Sequence, residues 1–150
     1  MRVILQRVTS ASVSVDQNIF GRIEAGLVIL LGITHEDTAE DIQYIINKTL
    51  QLRIFNDENG KMNLSVRDIS GECLIISQFT LYASTKKGNR PSYIDAASPD
   101  LAIPLYEQFI TEFRHYHHAK VATGEFGADM KVSLINDGPV TITLDSKDKK

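Results

Sequence analysis

A single cysteine, Cys73, occurs in the 150 residues. One thiol cannot form a disulfide within the chain, and there is no cysteine cluster to hold zinc. Cys73 lies inside an apolar run and reads as a small buried hydrophobe. Long hydrophobic stretches are missing too. The longest, Gly26-Leu27-Val28-Ile29-Leu30-Leu31-Gly32-Ile33, has the length of a strand and not of a membrane span. No small-residue cleavage site follows the N-terminal residues, so Met1 to Val8 read as a first strand rather than a signal peptide. A basic excess is absent as well, because the net charge is −3. Proteins that coat nucleic acid non-specifically usually carry a basic stripe, so that class is disfavoured. An enzyme that grips one end of an RNA through a local patch remains compatible with this charge. Lys86, Lys87 and Arg90 are candidates for such a patch, with Lys48 and Arg53 elsewhere. A solvated loop accounts for the same lysines. The expected location is a reducing cytoplasm, with no membrane partner.

Familiar catalytic signatures are also lacking. There is no Gly-rich phosphate loop. No Gly-x-Ser-x-Gly elbow supports a triad hydrolase. His115, His117 and His118 cluster, and His115 and His118 share a helix face, but no carboxylate is placed as a third ligand. Histidines near a helix C-terminus suit its dipole, so their structural reading is preferred. His35 stands alone in a loop. No metal and no cofactor are expected.

What is present suits one domain over residues 1–145, with a frayed tail at 146–150. Apolar residues make up 43% and charged residues 23%, enough for a real hydrophobic core. Strands are expected at residues 1–8, at Val13 to Val15 and at Ile19 to Ile23. The run from Leu27 to Ile33 is apolar on both faces and reads as a central strand. A helix capped by Thr38 or Asp37 follows, with Ile42, Ile45, Ile46 and Thr49 on one face. Asp57-Glu58-Asn59-Gly60 marks a hairpin turn. Cys73 to Leu81 reads as a strand, and Ser98-Pro99 opens a second helix with Ala102, Leu105, Tyr106, Phe109 and Phe113 on its apolar face. Pro104 is expected to kink that helix or delay its start. Thr123 to Asp145 reads as two strands joined at Asn136-Asp137-Gly138. The fold class is α+β, a small barrel-like sheet covered by two helices.

Two short segments stand out. Ser77-Gln78-Phe79-Thr80-Leu81 ends an apolar strand with polar side chains on both faces. These groups either hydrogen-bond a ligand or bond to backbone as the strand leaves the core. Gly138-Pro139 begins an alternating run, although proline cannot donate to a strand ladder. It is either a plain turn or a rigid feature with carbonyl oxygens aimed at a ligand.

Together, Ser77-Gln78-Phe79-Thr80-Leu81 and Asn136-Asp137-Gly138-Pro139-Val140-Thr141 resemble the signature pair of the D-aminoacyl-tRNA deacylases. Further similar stretches are Met1-Arg2-Val3 with Gln6-Arg7-Val8, Arg53-Ile54-Phe55 and Gly60-Lys61-Met62-Asn63. Gly88-Asn89-Arg90-Pro91-Ser92 and Gly124-Glu125-Phe126-Gly127-Ala128-Asp129-Met130 complete the set. The resemblance implies a homodimer with its sites at the interface. It implies hydrolysis of D-aminoacyl-tRNA, and of mischarged glycyl-tRNA, at the 3′ end. Gly138-Pro139 is then cis and enters the partner's site, where its carbonyl oxygens reject L side chains. Arg7 holds that motif. Phe126 and Met130 line the pocket for the terminal adenosine, with Ala102 nearby. Backbone N–H groups at Phe79 and Thr80 stabilise the oxyanion, while Ser77 and Gln78 orient the substrate. Thr80 acts as nucleophile or positions water, and the lack of an adjacent base favours water. Rival readings are an esterase or peptidase for small D-aminoacyl compounds without RNA, and a nucleotide- or RNA-binding module without catalysis.

Overall fold

Alternating apolar residues build the longest inner element, β1 (Arg2–Val15). Val3 and Leu5 face one core, whereas Val8, Ala11 and Val13 face another. The switch follows irregularities in its pairing between Gln6 and Ser10, where bulges re-aim the side chains. The separate strand expected at Val13 to Val15 is therefore the second half of β1. The bulges let one strand continue while changing the core it serves.

The computed structural model describes residues 1–150. A tight turn with Asp16 and Gln17 at positive φ leads into β2 (Asn18–Ile23). β2 and then β3 (Gly26–Gly32) take one edge of β1, and β8 (Met130–Asp145) takes the other from end to end. β3 pairs in parallel with β6 (Glu72–Ser77), which pairs in parallel with β7 (Val121–Thr123). The sheet curls until β2 approaches β7, so that a Cβ on Gly21 would lie 2.8 Å from Thr123 O. The result is a nearly closed barrel, as expected. A small hairpin of β4 (Phe55–Asn56) and β5 (Met62–Leu64) closes at Asp57–Gly60.

Each parallel pair needs a crossover, and the two helices supply them. α1 (Ala39–Gln51) lies between β3 and β6, and α2 (Pro99–Tyr116) between β6 and β7. Leu27, Ile29 and Leu31 of β3 face the helix-side core with Ile42, Ile46, Phe109 and Phe113. Val28 faces the inner core with Leu74 and Ile76. This explains why the β3 sequence is apolar at every position. Cys73 is fully buried in the helix-side core, and burial raises its thiol pKa. No helix is long and apolar enough to cross a membrane.

Two expectations are corrected. α2 starts at Pro99 and runs unbroken through Pro104, which lies on its exposed side near the first turns. Water can serve the carbonyl that lacks a donor there. Residues 130–145 form one strand along β1, not a hairpin, because the fourteen-residue β1 offers a continuous edge.

The start of the tail is also tied down. Ser146 is buried, its N–H donates to Met1 O at 2.9 Å, and its hydroxyl accepts from the Met1 α-amino group at 2.8 Å. That amino group also pairs with the fully buried Asp37 carboxylate, which accepts the Thr34 N–H at 2.8 Å. Lys147 pairs with Asp41 at 3.0 Å. Burial opposes ionisation of Asp41, but hydrogen bonds from Ser146, the Thr38 N–H and Lys147 outweigh it and hold its pKa well below the carboxylate range.

Asp37→Asn should therefore lower unfolding free energy by about 3–5 kcal/mol in urea titration, since it leaves a buried ammonium unpaired. Asp41 binds its proton more weakly folded than unfolded, so its contribution is present above about pH 4 and fades below it. Urea midpoints measured from pH 6 downward should fall through that range for the parent and less for Asp41→Asn.

Candidate active site

Strand pairing between β3 and β6 ends at Leu31 and Ser77. Gln78 N–H donates to Leu31 O at 2.8 Å, and the chain then turns at Gln78 (φ −144°, ψ 78°) into a 3-10 helix over Phe79–Tyr82. The strand expected to reach Leu81 thus stops at Ser77. Two causes are visible. β3 itself ends at Gly32, and that glycine lets the turn pack closely. A Cβ there would lie 3.0 Å from Leu81 Cβ and 3.1 Å from Gln78 O.

The turn has a chemical consequence. Leu81 N–H is the first to close back on it, reaching Gln78 O at 3.2 Å. Phe79 and Thr80 occupy the first turn, where N–H groups have no carbonyl one turn earlier to bond. The Gln78 amide donates to Thr80 Oγ1. No ionisable group is hydrogen-bonded to that hydroxyl.

A pocket of about 80 Å³ opens next to the turn. Ser77, Gln78 and Phe79 line it with Ala97, Ala102 and Phe126. None of its lining residues carries an ionisable side chain. Tyr106 packs against Phe126 with ring centroids 5.6 Å apart, and burial pushes the Tyr106 hydroxyl up to about 12. That ring stays neutral and acts as a support. Phe79 is 56% exposed and meets Tyr93 edge-on at 5.0 Å. Tyr93 and Ala97 carried no signal in the sequence, because only the returning loop brings them to the rim.

The structure gathers Ser77, Gln78, Phe79, Ala102 and Phe126 at one pocket but places Met130 outside its lining. Met130 opens β8 and packs on the inner core, over Gly124. A larger concavity, about 440 Å³, lies elsewhere, between Ser10–Ser12, Arg22–Glu24 and Ser133–Ile135. None of the motif residues lines it. His117 is buried against Gly71 O at 2.7 Å, while His115 stacks edge-on with Tyr116.

Gly138 and Pro139 also lie outside the pocket of their own chain. β8 pairs Thr141 with Gln6 and then Asn136 with Val8, so residues 137–140 bulge out of the ladder. Arg7, buried in β1, donates from Nε to Asp137 O at 2.9 Å and from Nη1 to Ile54 O at 2.7 Å. Asn136 Oδ1 accepts the Val140 N–H at 3.0 Å, which closes the bulge from within. The brace by Asn136 was not anticipated, although Asn commonly bonds nearby backbone in turns. Gly138 has φ +130°, and a Cβ on it would lie 2.8 Å from Arg7 Nη2. The Gly138-Pro139 peptide bond is cis.

A model of the D-Tyr-tRNA(Tyr) deacylase family matches residues 4–145. The chain belongs to this deacylase family. A D-aminoacyl-tRNA deacylase of Flavobacterium psychrophilum is 57% identical over 150 residues, covering all of both chains. One of Fusobacterium nucleatum is 59% identical over 148 residues, covering 99% of this chain and 97% of the other. Among solved structures, one described as a c-Myc DNA Unwinding Element Binding Protein superposes with TM-score 0.92 at 41% identity, covering 97% of this chain and 98% of that one. A eukaryotic structure at 18% identity and TM-score 0.83 shares the fold. Both signature segments of this deacylase-family chain fall inside the matched residues.

Replacing Gly138 by alanine should strain the bulge and displace Arg7. A loss of about 1–3 kcal/mol is expected, read as a lower melting temperature. An unchanged melting temperature would show that neither the positive φ nor the Arg7 contact resists a side chain there.

Proposed function

We propose that this protein hydrolyses the ester joining a D-amino acid to the 3′ end of tRNA. Its family membership supports the reaction class. The observation that carries the mechanism is an open N–H pair, at Phe79 and Thr80, beside an uncharged pocket. The carbonyl oxygen of the ester faces these two donors. A water molecule attacks the carbonyl carbon, the carbon–oxygen bond to the ribose breaks, and the ribose oxygen takes the proton. Free D-amino acid and tRNA leave. Each preorganised donor is worth about 2.7–4 kcal/mol in such reactions. An aminoacyl ester is already activated, so the site needs no charged base. Ser77 and Gln78 orient the substrate, and Gln78 holds the Thr80 hydroxyl as a water-positioning group. The neighbouring 2′-hydroxyl of the ribose assists. Phe126 and Ala102 receive the terminal adenosine.

Chirality is set by a second copy of the chain. In the homodimer, Gly138-Pro139 of the partner subunit roofs the pocket. It leaves room for hydrogen or a D side chain and excludes an L side chain, so glycyl-tRNA is also cleaved. Support comes from the bulge, which is braced by Arg7 and Asn136 yet lies away from its own chain's pocket. Phe79 and Ile94, 56% and 77% exposed, leave apolar surface at the rim for a second copy.

Incubation with D-Tyr-tRNA and L-Tyr-tRNA tests the reading, with release expected from the first alone. Tight tRNA binding without release would favour a binding module, and equal cleavage of D-tyrosine esters without RNA would favour a small esterase. Pro139→Ala should raise cleavage of L-Tyr-tRNA at least about tenfold while changing D-Tyr-tRNA affinity little, a shift of about 1.4 kcal/mol in discrimination. Full protection of the L ester in that variant would sink the roofing idea. Thr80→Ala should keep its rate within about a hundredfold of the parent, the low end of what one positioned catalytic group supplies. Loss of all turnover would instead indicate a threonine nucleophile.

A further inference from the structure

The chain between Phe79 and Ala97 leaves the pocket rim and returns to it, since both residues line the pocket. Its outer part is a closed loop. Ser84 and Ser92 exchange two backbone hydrogen bonds, at 2.8 and 2.9 Å, and form a neck. The edge-on contact of Phe79 with Tyr93 ties the base of this loop to the 3-10 helix. Beyond the neck lie Lys86, Lys87 and Arg90, all exposed, around a turn at Gly88 with φ +74°. None of the three forms an ion pair within the chain. The segment 77–94 contains no acidic residue, although the whole chain carries a net charge of −3.

We infer that this loop is an electrostatic clamp for the RNA phosphate backbone next to the bound 3′ end. The inference rests on the proposed deacylase reading and adds the part of the substrate that the pocket cannot reach. A pocket of about 80 Å³ without charged lining can hold only the terminal group and supplies no attraction for phosphates. The three unpaired cations lie two or three residues from the neck, at most about 11 Å along the chain, which is comparable to the distance over which charge acts in physiological salt. The closed neck limits the ordering cost on binding. Long cationic side chains above an apolar rim are free to meet successive phosphates. Elsewhere the acidic balance of the protein repels RNA, so contact is confined to the end being read.

The test compares two substrates with the parent protein and the Lys86→Ala/Lys87→Ala/Arg90→Ala variant. One is D-Tyr-tRNA, and the other is D-tyrosyl-adenosine, which is too short to reach the loop. For D-Tyr-tRNA the variant should lose at least about tenfold in kcat/KM at 0.15 M salt, mainly through KM. The slope of log(kcat/KM) against log salt should flatten by about 2–3, as expected for three lost phosphate contacts. Cleavage of D-tyrosyl-adenosine should match the parent. An unchanged salt slope with D-Tyr-tRNA overturns the clamp, as does an equal loss on both substrates. Failure of the parent to cleave either substrate would overturn the deacylase reading itself, a separate outcome. A Lys86→Arg/Lys87→Arg variant should keep the parent's salt slope, because it preserves charge.

Discussion

A buried guanidinium joins three separate stretches of this chain. Arg7 lies in β1, yet it bonds the carbonyls of Ile54, before the small hairpin, and of Asp137, in the β8 bulge. Residues 137–140 have left the ladder and cannot use β1 for their polar groups. Asp137, Gly138 and Pro139 are exposed, so water can serve their polar groups, but a single shape needs fixed partners from the protein. Arg7 supplies a donor from the sheet, and Asn136 supplies an acceptor from within the bulge. Lysine offers one point charge where this geometry needs a planar fork with several donors. The bulge therefore holds one shape while still projecting from the sheet.

The second constraint is the ending of a strand. β3 stops at Gly32, β6 loses its partner at Ser77, and the backbone coils at once. Coiling exposes two N–H groups beside a pocket with no ionisable lining. In such a place fixed dipoles act with little screening by water. On the proposed mechanism an activated ester needs little more than this. The apolar walls come from the crossovers that parallel pairing requires, with Ala102 on α2 and Phe126 just after β7.

Much of this was readable from the residues. The unbroken apolar run of β3 announced a strand with a core on each side, and both cores exist. Of the two expected caps, Thr38 starts α1, where the Asp41 carboxylate accepts the Thr38 N–H at 2.8 Å. Other features escaped because they depend on distant partners. Nothing within Thr9 to Val15 shows that β1 continues past its bulge, since the partner strand lies at the far end of the chain. Asn136-Asp137-Gly138 has the composition of a hairpin turn, and only the long edge of β1 makes it a bulge instead. Phe79 to Leu81 looks extended until the loss of a neighbouring strand is taken into account. At the site, the motif residues were visible one by one. Their physical roles were not, because open N–H groups belong to backbone geometry and not to residue type.

The central claim is that backbone donors at the end of β6 hold the reacting carbonyl, with a neighbouring copy's bulge above it. A crystal structure with a non-hydrolysable D-tyrosyl-3′-aminoadenosine amide tests this most directly. The account predicts a carbonyl oxygen about 2.7–3.1 Å from the Phe79 and Thr80 nitrogens, adenosine against Phe126, and the partner subunit's Gly138-Pro139 over the Cα of the ligand. Binding in the concavity between β1, β2 and β8, or a carbonyl turned away from both nitrogens, would contradict it.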